Sequence, residues 1–447
     1  MKIPEKTPNW QEAMKDLSSY PAFLTDPDVQ KLIQKANAEY SHWENIRHWP
    51  LPEKSKPELL WAFIKLQRFT NMRFLPLSDV ENKPFKFWLP SQVLQEIHTI
   101  DRESPKAIIS EGLPLAGTKE RYIQSSLMEE AIASSQIEGA ATTREVAKQM
   151  LREGRKPKDR SEQMILNNYA AMSEIRGMLK TPLSLEMLHH LHRILTENTL
   201  DHPEAVGRLR TPQDNIAVDD PRDNTTLFVP PPAAMLPQRL ETLFWFANND
   251  NTHEFIHPVV KAIILHFWLA YEHPYVDGNG RTARALFYWY MLKNDYWLFE
   301  FISISRILLR APAQYARSFL YSEHDDNDLT YFMVFNVRTI RVALRELNIY
   351  LHEKQVEFQR ATELLKRWPR LNLRQHLLLT EALRKPGKIF PIEAHSKDCH
   401  VVYQTARTDL LGLVNQGLFK MVKSGKRSLF FPVDDLPQRL DTARPSR

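Results

Sequence analysis

The chain has 447 residues, which suits about three domains, and its 43% hydrophobic and 25% charged content excludes wholesale disorder. A single cysteine, Cys399, excludes an internal disulfide framework and a multi-cysteine zinc site. The formal charge of +5 is uneven: residues 361–447 carry 16 Lys+Arg against 8 Asp+Glu, and residues 1–360 carry 43 against 46, so the basic excess marks a separate C-terminal module able to meet polyanions.

Residues 1–119 read as an N-terminal helical region. Val29 to Trp43 and Leu59 to Phe69 have helical spacing, and Trp43, Trp49, Trp61 and Trp88 suggest a packed layer, with loops expected over Pro76 to Pro90. From Glu120 the pattern turns to longer helices: Glu120 to Gln136, Thr142 to Arg152, Arg160 to Lys180, and Ser184 to Glu197 with Ser184 as N-cap. The interval Asp201 to Pro232 is turn-rich and holds two short β-like pieces, Ile216 to Val218 and Thr226 to Val229, which predict a hairpin. Helical pattern resumes over Met235 to Asn248, Val259 to Tyr271 and Thr282 to Lys293, and further helices are expected to follow through Glu353 to Arg367. The longest apolar stretch, Ala262 to Tyr271, is too short to cross a bilayer, and the N-terminus lacks the apolar core of a signal peptide. A cytoplasmic protein without a membrane partner is expected.

One segment differs in kind: His273-Pro274-Tyr275-Val276-Asp277-Gly278-Asn279-Gly280-Arg281-Thr282-Ala283-Arg284. It lies between two apolar helices, so it reads as a loop entering a helix N-terminus. Gly278, Asn279 and Gly280 can turn successive backbone N–H groups into a concavity that suits a phosphate. Arg281 and Arg284, three apart, can each hold a further phosphate. Asp277 beside such cargo makes sense as a Mg²⁺ ligand, and His273 is the proton acceptor of the segment. The glycine spacing is not that of a Walker loop.

The segment resembles the signature of the Fic family, His-Pro-Phe-x-Asp-Gly-Asn-Gly-Arg-x-x-Arg, with Tyr275 in place of Phe. Ser134-Ser135-Gln136-Ile137-Glu138-Gly139 resembles that family's inhibitory motif, on the N-terminal side of the signature. Gly207-Arg208-Leu209-Arg210 and Val229-Pro230-Pro231-Pro232 also resemble the stretch before the signature. The resemblance implies transfer of AMP from ATP to a Ser, Thr or Tyr hydroxyl of a target protein, or of the chain itself, with His273 as base. Asp277 would hold Mg²⁺, Gly278, Asn279 and Gly280 would form the anion hole, Arg281 would meet the β-phosphate and Arg284 the γ-phosphate. Thr225, Thr226, Leu227, Phe228 and Val229 would form a flap that aligns the target by strand addition. Glu138, with Ser134, would oppose the γ-phosphate by occupying Arg284. In some relatives the same glutamate serves AMP removal, so a two-way enzyme is admitted. Gly280 favours AMP transfer over phosphorylation, since kinase-like relatives carry Lys there. Glu272 departs from the family's apolar residue and would raise the His273 imidazole if it turned inward.

His253-Glu254-Phe255-Ile256-His257 spells the H-E-x-x-H of zinc proteases. Pro258 follows at once, so the helix is expected to start there and zinc is not expected. The basic C-terminus reads as a winged helix-turn-helix. Helices are expected over Asn372 to Arg384, Glu393 to Cys399 and Val402 to Gln416. Strands are expected over Ile389 to Pro391, Leu418 to Val422 and Ser428 to Pro432. Lys423, Lys426 and Arg427 would touch phosphates, and Gln404, Arg407 and Thr408 a groove; dimerisation or target docking suits the module equally. The expected architecture is therefore mainly α: an N-terminal helical region (1–119), a Fic-type helical core with a β-hairpin flap (120–360) and a C-terminal winged helix (361–447). The leading reading is an autoinhibited protein adenylyltransferase using ATP and Mg²⁺, with a target protein as partner and a homodimer left open. The rival is a DNA-binding regulator, contacting DNA through residues 361–447, whose core senses nucleotide.

Overall fold

A computed structural model of the chain describes residues 3–15, 23, 25–52, 56–109, 116–220, 223, 225–249, 254–368, 370–385, 387–424 and 427–442. It is mainly α, with three small antiparallel sheets among the described residues. The chain divides into two compact units, residues 1–105 with 126–344, and residues 106–125 with 345–447.

In the first unit, α1 (Trp10–Lys15), α2 (Pro27–Glu39), α3 (Trp43–Ile46) and α4 (Pro57–Phe69) form the N-terminal layer. Asp26 caps α2 by accepting from the amides of Asp28 and Val29, and Pro27 and Pro57 occupy first-turn positions, where a missing N–H costs nothing. Val29, Ile33, Trp43, Ile46, Leu60 and Trp61 pack into one cluster with Trp49 against it, while Trp88 packs on Tyr40 instead. Pro76 to Pro90 is not a loop throughout. Arg73–Ser78 (β1) and Pro84–Phe87 (β2) form a hairpin with a break in register after Phe74. Pro76 inside β1 hides it from propensity, and a two-stranded ribbon tolerates such a residue where a central strand does not.

Helices α5 (Ser91–Ile109), α6 (Ala116–Ile137), α7 (Arg144–Glu153), α8 (Arg160–Glu174) and α9 (Leu185–Thr196) follow. Thr143, Asp159 and Ser184 cap the last three through their side-chain oxygens. The predicted hairpin is present as Val218–Asp219 (β3) and Thr226–Phe228 (β4), paired Val218 to Phe228 and Asp219 to Thr226.

Then come α10 (Leu236–Asn248), α11 (Pro258–Glu272) and α12 (Asn279–Lys293). Thirteen of the fifteen residues of α11, from Val259 to Glu272, are buried, and α12 is equally submerged, so this pair is the centre of the unit. Helix α12 begins at Asn279, three residues earlier than the sequence pattern indicated. Gly278 takes the N-cap position at φ +85°. α13 (Ile304–Arg310), α14 (Pro312–His324) and α15 (Thr330–Arg367) are the further helices, the last reaching Arg367.

The second unit contains α16 (Leu373–Arg384), α17 (Ile392–Cys399), α18 (Tyr403–Asn415) and α19 (Leu436–Thr442). Its sheet has the order β5 (Phe390–Pro391), β7 (Arg427–Pro432), β6 (Phe419–Ser424), with β6 and β7 in register from Phe419–Pro432 to Ser424–Arg427. Leu379, Leu410, Leu413, Leu418 and Phe430 form its core. Within it, the buried Asp409 carboxylate accepts from Asn372, from Nε and Nη2 of Arg374 and from His395 Nε2. Lys426 lies outside the described residues.

Candidate active site

His273 ends α11 in the left-handed region, φ +46°, an unusual conformation for a residue with a Cβ. Arg210 holds it there. Its Nε donates to the His273 carbonyl at 2.7 Å and its Nη2 to the Glu272 carbonyl at 3.2 Å and to that of Pro231, while the Arg210 amide donates to Pro274 O at 2.8 Å. The His273 Nδ1 faces the Ala270 carbonyl at 3.4 Å, so that nitrogen carries the proton and Nε2 is left as the basic one. Burial lowers the imidazole to about 4, against the opposing pull of the Ala270 carbonyl and Glu138, so the ring is neutral at pH 7.

Glu272 does not face this ring. It is fully buried on Arg239, with Nε–Oε2 at 2.7 Å and Nη2–Oε1 at 2.8 Å, and accepts from Trp268 Nε1 at 3.1 Å. A carboxylate in an apolar helix is held by the guanidinium of a neighbouring helix, which the sequence pattern did not indicate.

The segment after His273 is a closed turn. Asn279 Oδ1 accepts from the Tyr275 amide at 2.9 Å and its Nδ2 donates to Tyr275 O at 2.8 Å, so its side chain ties the turn rather than facing a ligand. Gly278, Asn279 and Gly280 therefore form a helix start, whose first-turn amides have no intrahelical acceptors. Thr282 secures it through its hydroxyl to Gly278 O at 2.8 Å. Tyr275 is wholly buried, its ring flat on His192 and its hydroxyl 3.0 Å from His189 Nδ1.

The two arginines separate. Arg281 is buried against the Leu195 carbonyl at 3.1 Å and reaches Asp277 Oδ1 at 3.3 Å, with its Nε unpartnered. Arg284 is buried beneath α6: its Nε donates to Ser134 Oγ at 2.9 Å, and its Nη2 to Ser134 O and to Glu138 Oε1, each at 2.9 Å. Helix α6 ends so as to present Glu138. The amide of Ala140 bonds Ser135 O at 3.0 Å and that of Gly139 bonds Gln136 O at 3.1 Å, with Gly139 at φ +92°. A methyl group built on Gly280 would overlap Glu138 Oε1, so the carboxylate lies directly on the helix start.

These residues fit the groups expected of them. A carboxylate of this chain already sits at the first turn of α12 and against Arg284, which shows that an anion suits the place. The Asp277 side chain is 42% exposed, and a single carboxylate suits Mg²⁺ that is held mainly by water and substrate phosphates. In the flap region, Thr226 Oγ1 donates to Asp219 Oδ1 at 2.8 Å, Phe228 packs on Tyr271 with ring centroids 5.1 Å apart, and Thr225, Thr226 and Val229 are exposed. Of the H-E-x-x-H residues, His257 caps α11 outside the helix and meets Asp101 at 3.0 Å, Glu254 pairs with Arg73, and His253 lies outside the described residues. Arg210 and His192 carry much of the architecture. Arg210 was visible only as part of a resembling stretch, and His192 gave no signal, since a histidine on an amphipathic helix is ordinary.

Residues 182–291 match the Fic/DOC family. The chain is 28% identical over 172 residues to the protein adenylyltransferase Fic of Nematostella vectensis, covering 38% of this chain and 37% of that protein. It is 30% identical over 114 residues to protein adenylyltransferase fic-1 of Caenorhabditis elegans, covering 26% and 20%. The matches thus span about a third or less of those relatives. Among solved structures, residues 134–508 of Fic-1 from C. elegans superpose with a TM-score of 0.50 at 17% identity, over 73% of this chain and 86% of that one. The core of this protein has the Fic-type helical fold.

Proposed function

We propose that the protein is an autoinhibited adenylyltransferase that moves AMP from ATP to a hydroxyl of a target protein, with residues 120–360 as its catalytic domain. The observation that carries this reading is the Arg284–Glu138–Gly280 contact, in which a built-in carboxylate occupies an anion site beside a neutral histidine base. His273 Nε2 takes the proton as the target hydroxyl attacks the α-phosphorus, the O–P bond forms, and the bond to the bridging oxygen breaks, so that pyrophosphate leaves. The first-turn amides of α12 and Arg281 hold the phosphate oxygens, and Arg284 holds the terminal phosphate once Glu138 has withdrawn. Asp277 would hold Mg²⁺, which when bound neutralises charge on the α- and β-phosphates. The hairpin Val218 to Phe228 aligns the target chain, and the similarity to protein adenylyltransferases supports the reaction class.

The test uses the full chain, a cell lysate and Mg²⁺ with ATP labelled at the α- or the γ-phosphate. Protein label from the α-position alone, lost in His273→Ala, is the expected result. Label from the γ-position alone would mean phosphoryl transfer and reject the proposal.

A further inference from the structure

The peptide between Asp277 and Gly278 rests on α9. His192 of that helix is wholly buried, with its ring flat on Tyr275, centroids 3.7 Å apart and planes 11° from parallel. Its Nδ1 accepts from the Gly207 amide at 3.0 Å, so the ring proton sits on Nε2, which donates to the Asp277 carbonyl at 2.9 Å. No other neutral tautomer satisfies both contacts. The fit is close on the next residue too: a methyl on Gly278 would come 3.3 Å from His192 Nε2 and 2.7 Å from Thr196 Cγ2. One imidazole thus ties the Asp277 backbone to Gly207, three residues before the arginine that holds the His273 carbonyl.

We propose that His192 is a positioning residue for nucleotide binding: its Nε2–H, donated to the Asp277 carbonyl, fixes the carboxylate of Asp277 where the metal–nucleotide complex needs it. This rests on the adenylyltransferase reading of the same site. The competing role is a strut that holds only the Gly207 segment, and it uses the other ring nitrogen. The two roles can be separated chemically. A glutamine places an amide N–H near the position of Nε2, and an asparagine places an amide oxygen near that of Nδ1.

The test is calorimetric titration of ATP into full-length protein carrying Glu138→Gly and His273→Ala, which neither blocks the site nor turns over. Each protein is titrated once with Mg²⁺ and once with EDTA, and the ratio of the two Kd values is the readout. His192→Gln is expected to keep that ratio within about twofold. His192→Asn and His192→Phe are expected to lose ~10-fold of it, the usual effect of removing a group that orients a metal ligand, while their metal-free Kd changes little. In the active Glu138→Gly protein, His192→Asn then raises the KM for Mg·ATP more than it lowers kcat. Retention by Asn with loss by Gln, or an equal loss with and without metal in all three, overturns the proposal. If the parent protein itself binds no ATP, the nucleotide reading of the site fails and the proposal falls with it, an outcome distinguished by the parent rather than the variant. Should Asn fail to fold, as judged by its melting curve, the comparison of Gln with Phe decides.

Discussion

At the scale of single residues, the site depends on where protons and charges are held. Burial lowers His273 to about 4, so its basic form persists far below the ordinary histidine value of ~6.5. AMP transfer by a Glu138→Gly protein should therefore keep its rate from pH 8 down to about pH 5 and lose it only as pH falls through about 4. An acid limb centred near 6.5 would show that the ring is more solvated than the structure has it. Ser134 shares the hold on Arg284 through its hydroxyl, yet its carbonyl also accepts from that guanidinium. Ser134→Ala should accordingly raise transfer by less than Glu138→Gly does, because one of three anchors goes and the other two stay. The individual chemistry of this segment was legible because His273, Asp277, the glycines and Arg284 fall within twelve residues. What the sequence could not show is who faces whom: Asn279 turned back on Tyr275, and Glu272 on Arg239. Those choices are made by tertiary neighbours, since a short side chain beside an open backbone N–H or a distant guanidinium satisfies itself there first.

Among the elements, the end of α6 is the critical one. Gly139 sits at φ +92° with open space around its Cα, so a side chain there meets no clash but a strained backbone. Gly139→Val should cost about 1 kcal/mol or more locally, loosen the turn that presents Glu138, and raise basal transfer. Transfer unchanged in that variant would mean that the helix end is fixed by other contacts. In the C-terminal unit, Asp409 is held below the ordinary carboxylate range, its burial outweighed by hydrogen bonds from His395, Arg374 and Asn372, while the partners of His395 raise it to about 9. The His395 contribution to stability is full below ~6.5 and lost as pH rises through about 9; that of Asp409 is full above ~3.9 and lost as pH falls below it. Asp409→Asn should then lower the stability of this unit by ~3 kcal/mol between those limits, read as an earlier thermal transition. Helix positions were largely legible from periodicity and caps such as Ser184 and Asn372. The β1–β2 hairpin was not, because Pro76 and a register break interrupt the alternation that betrays a strand.

For the molecule as a whole, the basic excess falls in residues 361–447, and the second compact unit takes in residues 106–125 with 345–447. No described helix is long and apolar enough to cross a membrane. The fold class was readable from the order of helices and short β pieces, whereas the two compact units depend on contacts between segments far apart in the chain. The proposed restraint on the nucleotide site is a single carboxylate, that of Glu138, in the turn just past α6 and against Arg284. Its most direct test is the rate of AMP incorporation from α-labelled ATP by wild type, Glu138→Gly, and Glu138→Gly with Arg284→Ala. A rise of ~10-fold or more in the first variant, reversed in the second, is predicted, since removing the partner of the buried Arg284 and freeing it as a phosphate ligand amounts to about a kcal/mol or more. A wild-type rate equal to that of Glu138→Gly would contradict it.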